Sequence, residues 1–139
     1  MARLYACALF LALLFATAPA FAARQIYWKE VEVLPGEDAA RVKTNLKGLL
    51  RYETKRAKWG KGKDVQLYAR VTEFAWERSD DVLRIHVTVV ARIAGGESAR
   101  SRIRIGGHPR ERKKLMRQAL SIVASGLVTR LAAMARERP

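Results

Sequence analysis

The sequence predicts an α+β domain: a two-layer sandwich in the order β-α-β-β-β-α, with a mostly antiparallel sheet and two helices on one face. Three observations predict it. Residues 82–93 alternate with a period of two, which puts Leu83, Ile85, Val87, Val89, Ala91 and Ile93 on one face. Residues 37–59 and the segment after Pro109 instead repeat apolar side chains at helical spacing, each in a single stripe. Turn residues at Ser79-Asp80-Asp81 and at Gly95-Gly96 sit between strands that then pair as hairpins. Two one-striped helices and a one-faced sheet bury their apolar surface together only when both helices cover the same face.

The elements follow in order. Gln25 to Leu34 alternates in part and is stopped by Pro35-Gly36, as a strand is. Glu37 to Trp59 carries Val42, Leu46, Leu49, Leu50 and Ala57 on one helical face. Acidic Glu37 and Asp38 stand at its start and Arg51, Lys55, Arg56 and Lys58 near its end, the polarity the helix dipole favours. Gly60 and Gly62 end it. Asp64 to Arg78 alternates Val65, Leu67, Ala69 and Val71 against Gln66, Tyr68, Arg70, Thr72, Phe74 and Trp76. After Val82–Ile93, the strand Glu97 to Ile105 points Ala99, Ser101, Ile103 and Ile105 one way and Ser98, Arg100, Arg102 and Arg104 the other. Pro109 suits the first turn of the last helix, in which Leu115, Ala119, Ile122, Val123, Leu127, Leu131 and Met134 form the stripe. Gly126 in its middle costs about 1 kcal/mol relative to alanine and is expected to permit close packing on the sheet.

The first 22 residues have another logic. Arg3 precedes an apolar run from Leu4 to Ala16, and Ala20-Phe21-Ala22 has the small-x-small pattern of a cleavage site. The run is shorter than the roughly 20 residues that span a bilayer. The expectation is a signal peptide at 1–22, cut after Ala22, with 23–139 as a single basic domain in the periplasm or outside the cell. Cleavage removes Cys7, the sole cysteine, so neither a disulfide nor a cysteine metal site is expected. The net charge of +14, from 27 Lys and Arg against 13 Asp and Glu, is spread over a chain that is half hydrophobic. This is a packed domain with anionic partners rather than a charged disordered tail.

No catalytic pattern stands out. There is no nucleophile elbow, Walker loop or dinucleotide fingerprint. His86 and His108 lack partners at ligand spacing, so the expected function is non-enzymatic and needs no cofactor. The informative residues are basic. If the strands pair as drawn, Arg70, Arg84, His86, Arg92, Arg100, Arg102 and Arg104 project from the uncovered face, with Tyr68, Phe74 and Trp76 on the same parity. A bulge after Thr72 would reverse that parity for the last two. Guanidinium forks bind phosphates bidentately, and aromatic rings beside them offer an apolar or stacking surface. The same face also suits simple solvation, with arginines keeping an open sheet soluble. A second cluster runs from Lys55 to Lys63 around Trp59, either a basic membrane-interface loop or a charged connector capping the core. A third, Arg110, Arg112, Lys113, Lys114 and Arg117, crowds the start of the last helix. There the dipole is already positive, so an anion is the natural companion.

The secretory start and the element order resemble the small envelope proteins built on the fold of the lipopolysaccharide-assembly lipoprotein LptE. The resemblance implies an envelope location, an anionic glycolipid or phospholipid ligand, and an outer-membrane protein partner. This chain lacks a cysteine after its apolar run, which makes the expected form soluble. From Glu37 onward the order is also similar to the double-stranded RNA-binding domain, in which Lys113, Lys114 and Arg117 would grip phosphates. Ser79-Asp80-Asp81 stands where that family has its Gly-Pro-x-His loop, and places two acids toward the minor groove. A protein-interaction domain without an anionic ligand is the third possibility.

Overall fold

The computed structural model describes residues 24–138; the proposed signal peptide and Cys7 lie outside them. The elements are β1 (Ile26–Glu32), α1 (Ala39–Arg56), β2 (Val65–Ser79), β3 (Val82–Ile93), β4 (Ser98–Gly107), a 3-10 turn (Pro109–Glu111) and α2 (Arg112–Arg136). The sheet order is β1-β2-β3-β4. β1 runs parallel to β2, reached through α1 as a crossover, and the other two pairings are antiparallel. The β-α-β-β-β-α sandwich expected from periodicity is the fold.

One side of the sheet is sealed. Val65, Leu67, Ala69 and Val71 of β2 join Ile85, Val87, Val89, Ala91 and Ile93 of β3 in a single core with Val42, Leu46 and Leu50 of α1. From α2 the core takes Leu120, Val123, Leu127 and Leu131. α2 is also long and apolar enough to cross a membrane, but most of its large apolar side chains, Leu115, Leu120, Val123, Leu127, Val128 and Leu131 among them, are buried inside the domain, with Ile122 exposed. It approaches the sheet closely. A Cβ on Gly107 would lie 2.8 Å from Leu115 Cδ2, and one on Gly126 would lie 3.3 Å from Ser101 Oγ. Both glycines therefore stand where the helix–sheet spacing leaves little room for a side chain, as expected for Gly126.

The turns match their sequence signals. Ser79 pairs with Val82 across the two-residue loop Asp80-Asp81, in which Asp80 takes a left-handed φ of 51°, a conformation aspartate tolerates through local hydrogen bonding. Gly95 turns the β3–β4 hairpin with φ 68°.

One polar residue belongs to the core's architecture. Arg24, just before β1, is buried. Its Nη1 donates to the carbonyls of Trp59 (3.2 Å) and Ala135 (2.6 Å), and its Nη2 to those of Lys61 (2.8 Å) and Arg138 (2.9 Å). The last turn of a helix leaves carbonyls without intrahelical donors. Here one guanidinium donates to one of them, Ala135 O, and to Arg138 O just past the helix, and clasps both to the loop after α1. Beside it Trp59 is buried, with Nε1 donating to Thr54 O at 2.9 Å, so the tryptophan caps the core and does not sit at a membrane interface. Removing the clasp takes the side-chain donor from four carbonyls, of which Ala135 O keeps the Arg138 backbone N–H at 3.1 Å. Arg24→Ala is expected to lower unfolding stability by about 3 kcal/mol, read by urea denaturation, whereas Arg102→Ala on the exposed face should cost under about 0.5 kcal/mol.

Candidate functional site: the open face of the sheet

Among the described residues nothing covers the face opposite the helices, and the pairing register states what it carries. Across the strands run Glu30, Tyr68, Arg92 and Ser98; then Glu32, Arg70, Val90 and Arg100; then Glu73, Thr88 and Arg102; then Ala75, His86 and Arg104; then Glu77, Arg84 and Gly106. All six strand arginines expected on this face are there. Tyr68 is there too, with the Arg92 guanidinium stacked 4.2 Å above its ring, a cation–π contact.

Phe74 and Trp76 are not. β2 pairs Val71 with Val89 but Glu73 with Thr88, so Thr72 is an extra residue bulged out of the ladder. An inserted residue reverses side-chain parity for the rest of a strand. Phe74 and Trp76 pass to the helix side, opposite Val87 and Ile85, and pack on the core edge-to-face with ring centroids 6.0 Å apart. Glu73 and Glu77 take their places among the arginines. The parity drawn for these aromatics is corrected accordingly: the bulge exchanges an aromatic pair for a carboxylate pair.

The bulge also sorts charge. The carboxylates Glu30, Glu32, Glu73 and Glu77 all come from β1 and β2, and the charged residues that β4 contributes are all arginines. Glu32 meets Arg70 at 3.1 Å; Glu77 meets His86 at 3.2 Å and Arg104 at 3.4 Å; Glu73 lies 3.9 Å from His86. Thr88 Oγ1 donates to Glu73 at 3.3 Å. These pairs are largely solvated and contribute little stability, but they set the local balance. Among the described residues, the side chains of Arg84, Arg100 and Arg102 meet no carboxylate, ring or other acceptor. Successive outward side chains on a strand stand about 6.6 Å apart, so Arg100, Arg102 and Arg104 form a ladder of guanidinium forks along the sheet edge. Beside it, Glu30, Glu32, Tyr68, Arg70, Val90 and Arg92 line a trough of about 420 Å³. Arg130 of α2 donates to the carbonyl of Arg100, tying the ladder's strand to the helix behind it.

The basic start of α2 is on the other layer. Arg110, Lys113, Lys114 and Arg117 are exposed, but α2 packs against the covered face, so they do not join the arginine ladder. Arg112 is committed elsewhere: its Nη2 bonds Asp38 Oδ2 at 3.1 Å and its guanidinium lies 4.5 Å from the Trp76 ring centroid. Trp76 Nε1 donates to the same Asp38 oxygen at 3.0 Å. Asp38 precedes α1, yet it makes no side-chain cap there; its carboxylate joins α1 to β2 and α2 instead. His108 Nδ1 accepts the Arg110 backbone N–H at 3.1 Å, which caps the 3-10 turn.

No protein-family model and no curated protein matches the chain. Among solved structures it is similar to a protein assigned as a lipoprotein in Caulobacter crescentus CB15, at 15% identity over 77% of this chain and 88% of that one, with a TM-score of 0.47. It is also similar to a minor lipoprotein of Acinetobacter baumannii, at 14% identity over 77% of this chain and 92% of the other, TM-score 0.44. A third is PelC of Paraburkholderia phytofirmans, a dodecamer, at 15% identity over 86% and 90% of the two chains, TM-score 0.37.

Replacing Asp38 by alanine leaves Trp76 Nε1 and Arg112 without their common acceptor. The expected cost is about 1–2 kcal/mol, with a change in near-ultraviolet circular dichroism from the Phe74–Trp76 pair and no change in anion binding.

Proposed function

We propose that the protein is a non-enzymatic component of the bacterial cell envelope, secreted by its first 22 residues, that binds a phosphate-bearing anionic ligand on the open face of its sheet. The observation that carries this proposal is the sorting of charge: among the described residues Arg84, Arg100 and Arg102, on β3 and β4, have no acidic counterparts, while Arg70 and Arg104 do. Solvation alone does not call for such an arrangement, since interspersed charges keep a face soluble equally well. A ladder of guanidinium forks suits a ligand with several phosphates, such as the headgroup of lipopolysaccharide or clustered anionic phospholipids, through charge-assisted bidentate hydrogen bonds. Tyr68 and Val90, beside the ladder, offer apolar contact for the non-phosphate part. Phe74 and Trp76 take no part, being on the helix side. An outer-membrane protein partner is compatible with the same face, through its acidic groups.

A nucleic-acid reading has its own support in the exposed Lys113, Lys114 and Arg117, which lie on the helix layer. The two readings therefore use different surfaces and separate by mutation. Arg100→Ala combined with Arg102→Ala is expected to weaken binding to lipopolysaccharide micelles by about tenfold or more, with thermal stability unchanged because both side chains are exposed. Lys113→Ala combined with Lys114→Ala should leave that binding intact. If duplex RNA binds more tightly than the glycolipid, and the lysine pair rather than the arginine pair controls affinity and its salt dependence, the envelope-ligand proposal fails.

A further inference from the structure

The Arg24 clasp fixes where the chain enters the domain. Its four carbonyl partners belong to the loop after α1 and to the end of α2, so the N-terminal segment joins at the pole where both helices end. The β3–β4 turn is at this pole too, with the Arg138 guanidinium against Gly96. The opposite pole holds the Asp80-Asp81 turn and the start of α2. β2, 15 residues long, runs between them over roughly 50 Å.

The entry pole is strongly basic. Lys55, Arg56, Lys58, Lys63 and Arg136 are exposed around it, and among the described residues Glu53, Asp64, Glu97 and Glu137 are the nearby carboxylates. Asp64 is engaged by the Gln25 backbone N–H at 3.1 Å. Cations do favour helix C-termini, but the two helix ends together present only about one negative charge, which the Arg24 guanidinium alone offsets. The exposed cations are an excess, and Trp59, buried beneath them, makes no apolar contribution.

We infer that this pole is a seat for an anionic phospholipid surface. The chain geometry supports it independently of the charge. The apolar run Leu4–Ala16 is separated from Arg24 by about seven residues, at most ~25 Å even when fully extended. Whenever that run is in a bilayer, the basic pole is the part of the domain held beside the headgroups, and the far pole with Lys113, Lys114 and Arg117 points away. A chain already cut after Ala22 keeps the same cations around its new terminus. The inference does not depend on the arginine ladder, which occupies a different surface.

The test uses the full chain with Cys7→Ser and one reporter cysteine, either Ala94→Cys at the entry pole or Ser79→Cys at the far pole. Each is labelled with a fluorophore and mixed with vesicles containing a quencher-bearing lipid. In phosphatidylglycerol-rich vesicles at low salt, quenching is expected at position 94 and not at 79. It should fall in purely phosphatidylcholine vesicles. Each cation near such a surface strengthens attraction roughly fivefold, so Lys55→Gln, Lys58→Gln and Lys63→Gln together should reduce the seated population by about 100-fold. Equal quenching at both poles, or quenching at 94 indifferent to lipid charge and to the triple substitution, overturns the inference. Lipopolysaccharide binding by the same triple variant reports separately on the arginine ladder.

Discussion

The sheet has one face that must be sealed and one that cannot be, and the rest of the molecule follows from that constraint. Every second residue of β3 is buried in the core beneath the helix layer, so a single slip of register would expose the core and bury arginine. The register is preserved along β3 and β4. In β2 it is interrupted once, at Thr72, and the interruption is consistent with the same constraint. Beyond Val71 the apolar side chains of β2 are Phe74 and Trp76, out of phase with Val65, Leu67, Ala69 and Val71. The bulge restores them to the sealed side.

What is restored on one face is exchanged on the other. By turning Phe74 and Trp76 inward, Thr72 turns Glu73 and Glu77 outward, where they meet His86 and Arg104. The carboxylates of β1 and β2 then balance one half of the open face and leave Arg84, Arg100 and Arg102 in excess on the other. The anionic-ligand proposal thus depends on a packing requirement: the aromatics had to go in, so the acids came out on the side away from β4.

Most of this fold was legible because its signals are local and periodic. The alternation of β3, the stripes of α1 and α2, and the turn residues at Asp80-Asp81 and Gly95 each state their element without reference to the others. The bulge was also written in the chain, as the change of apolar parity between Val71 and Phe74, but strict alternation hides it. Arg24 and Asp38 were not legible. A lone arginine two residues past an apparent cleavage site reads as a surface charge, and an aspartate before a helix reads as its cap. Their partners, Ala135 and Arg138 for one and Trp76 and Arg112 for the other, are distant in sequence and become neighbours only when the layers pack. The basic residues were easy to find, and what pairing alone could supply was which of them share a surface: the arginines of the strands do, and the lysines of α2 do not.

The most direct test of the account is to follow each arginine side chain during ligand binding. In a titration with lipopolysaccharide micelles monitored through the guanidinium Nε–Hε signals, the account predicts shifts at Arg84, Arg100 and Arg102. The signals of Arg70, held by Glu32, and Arg112, held by Asp38, should remain where they are. Shifts confined to Arg110 and Arg117, with the β4 ladder silent, would contradict it.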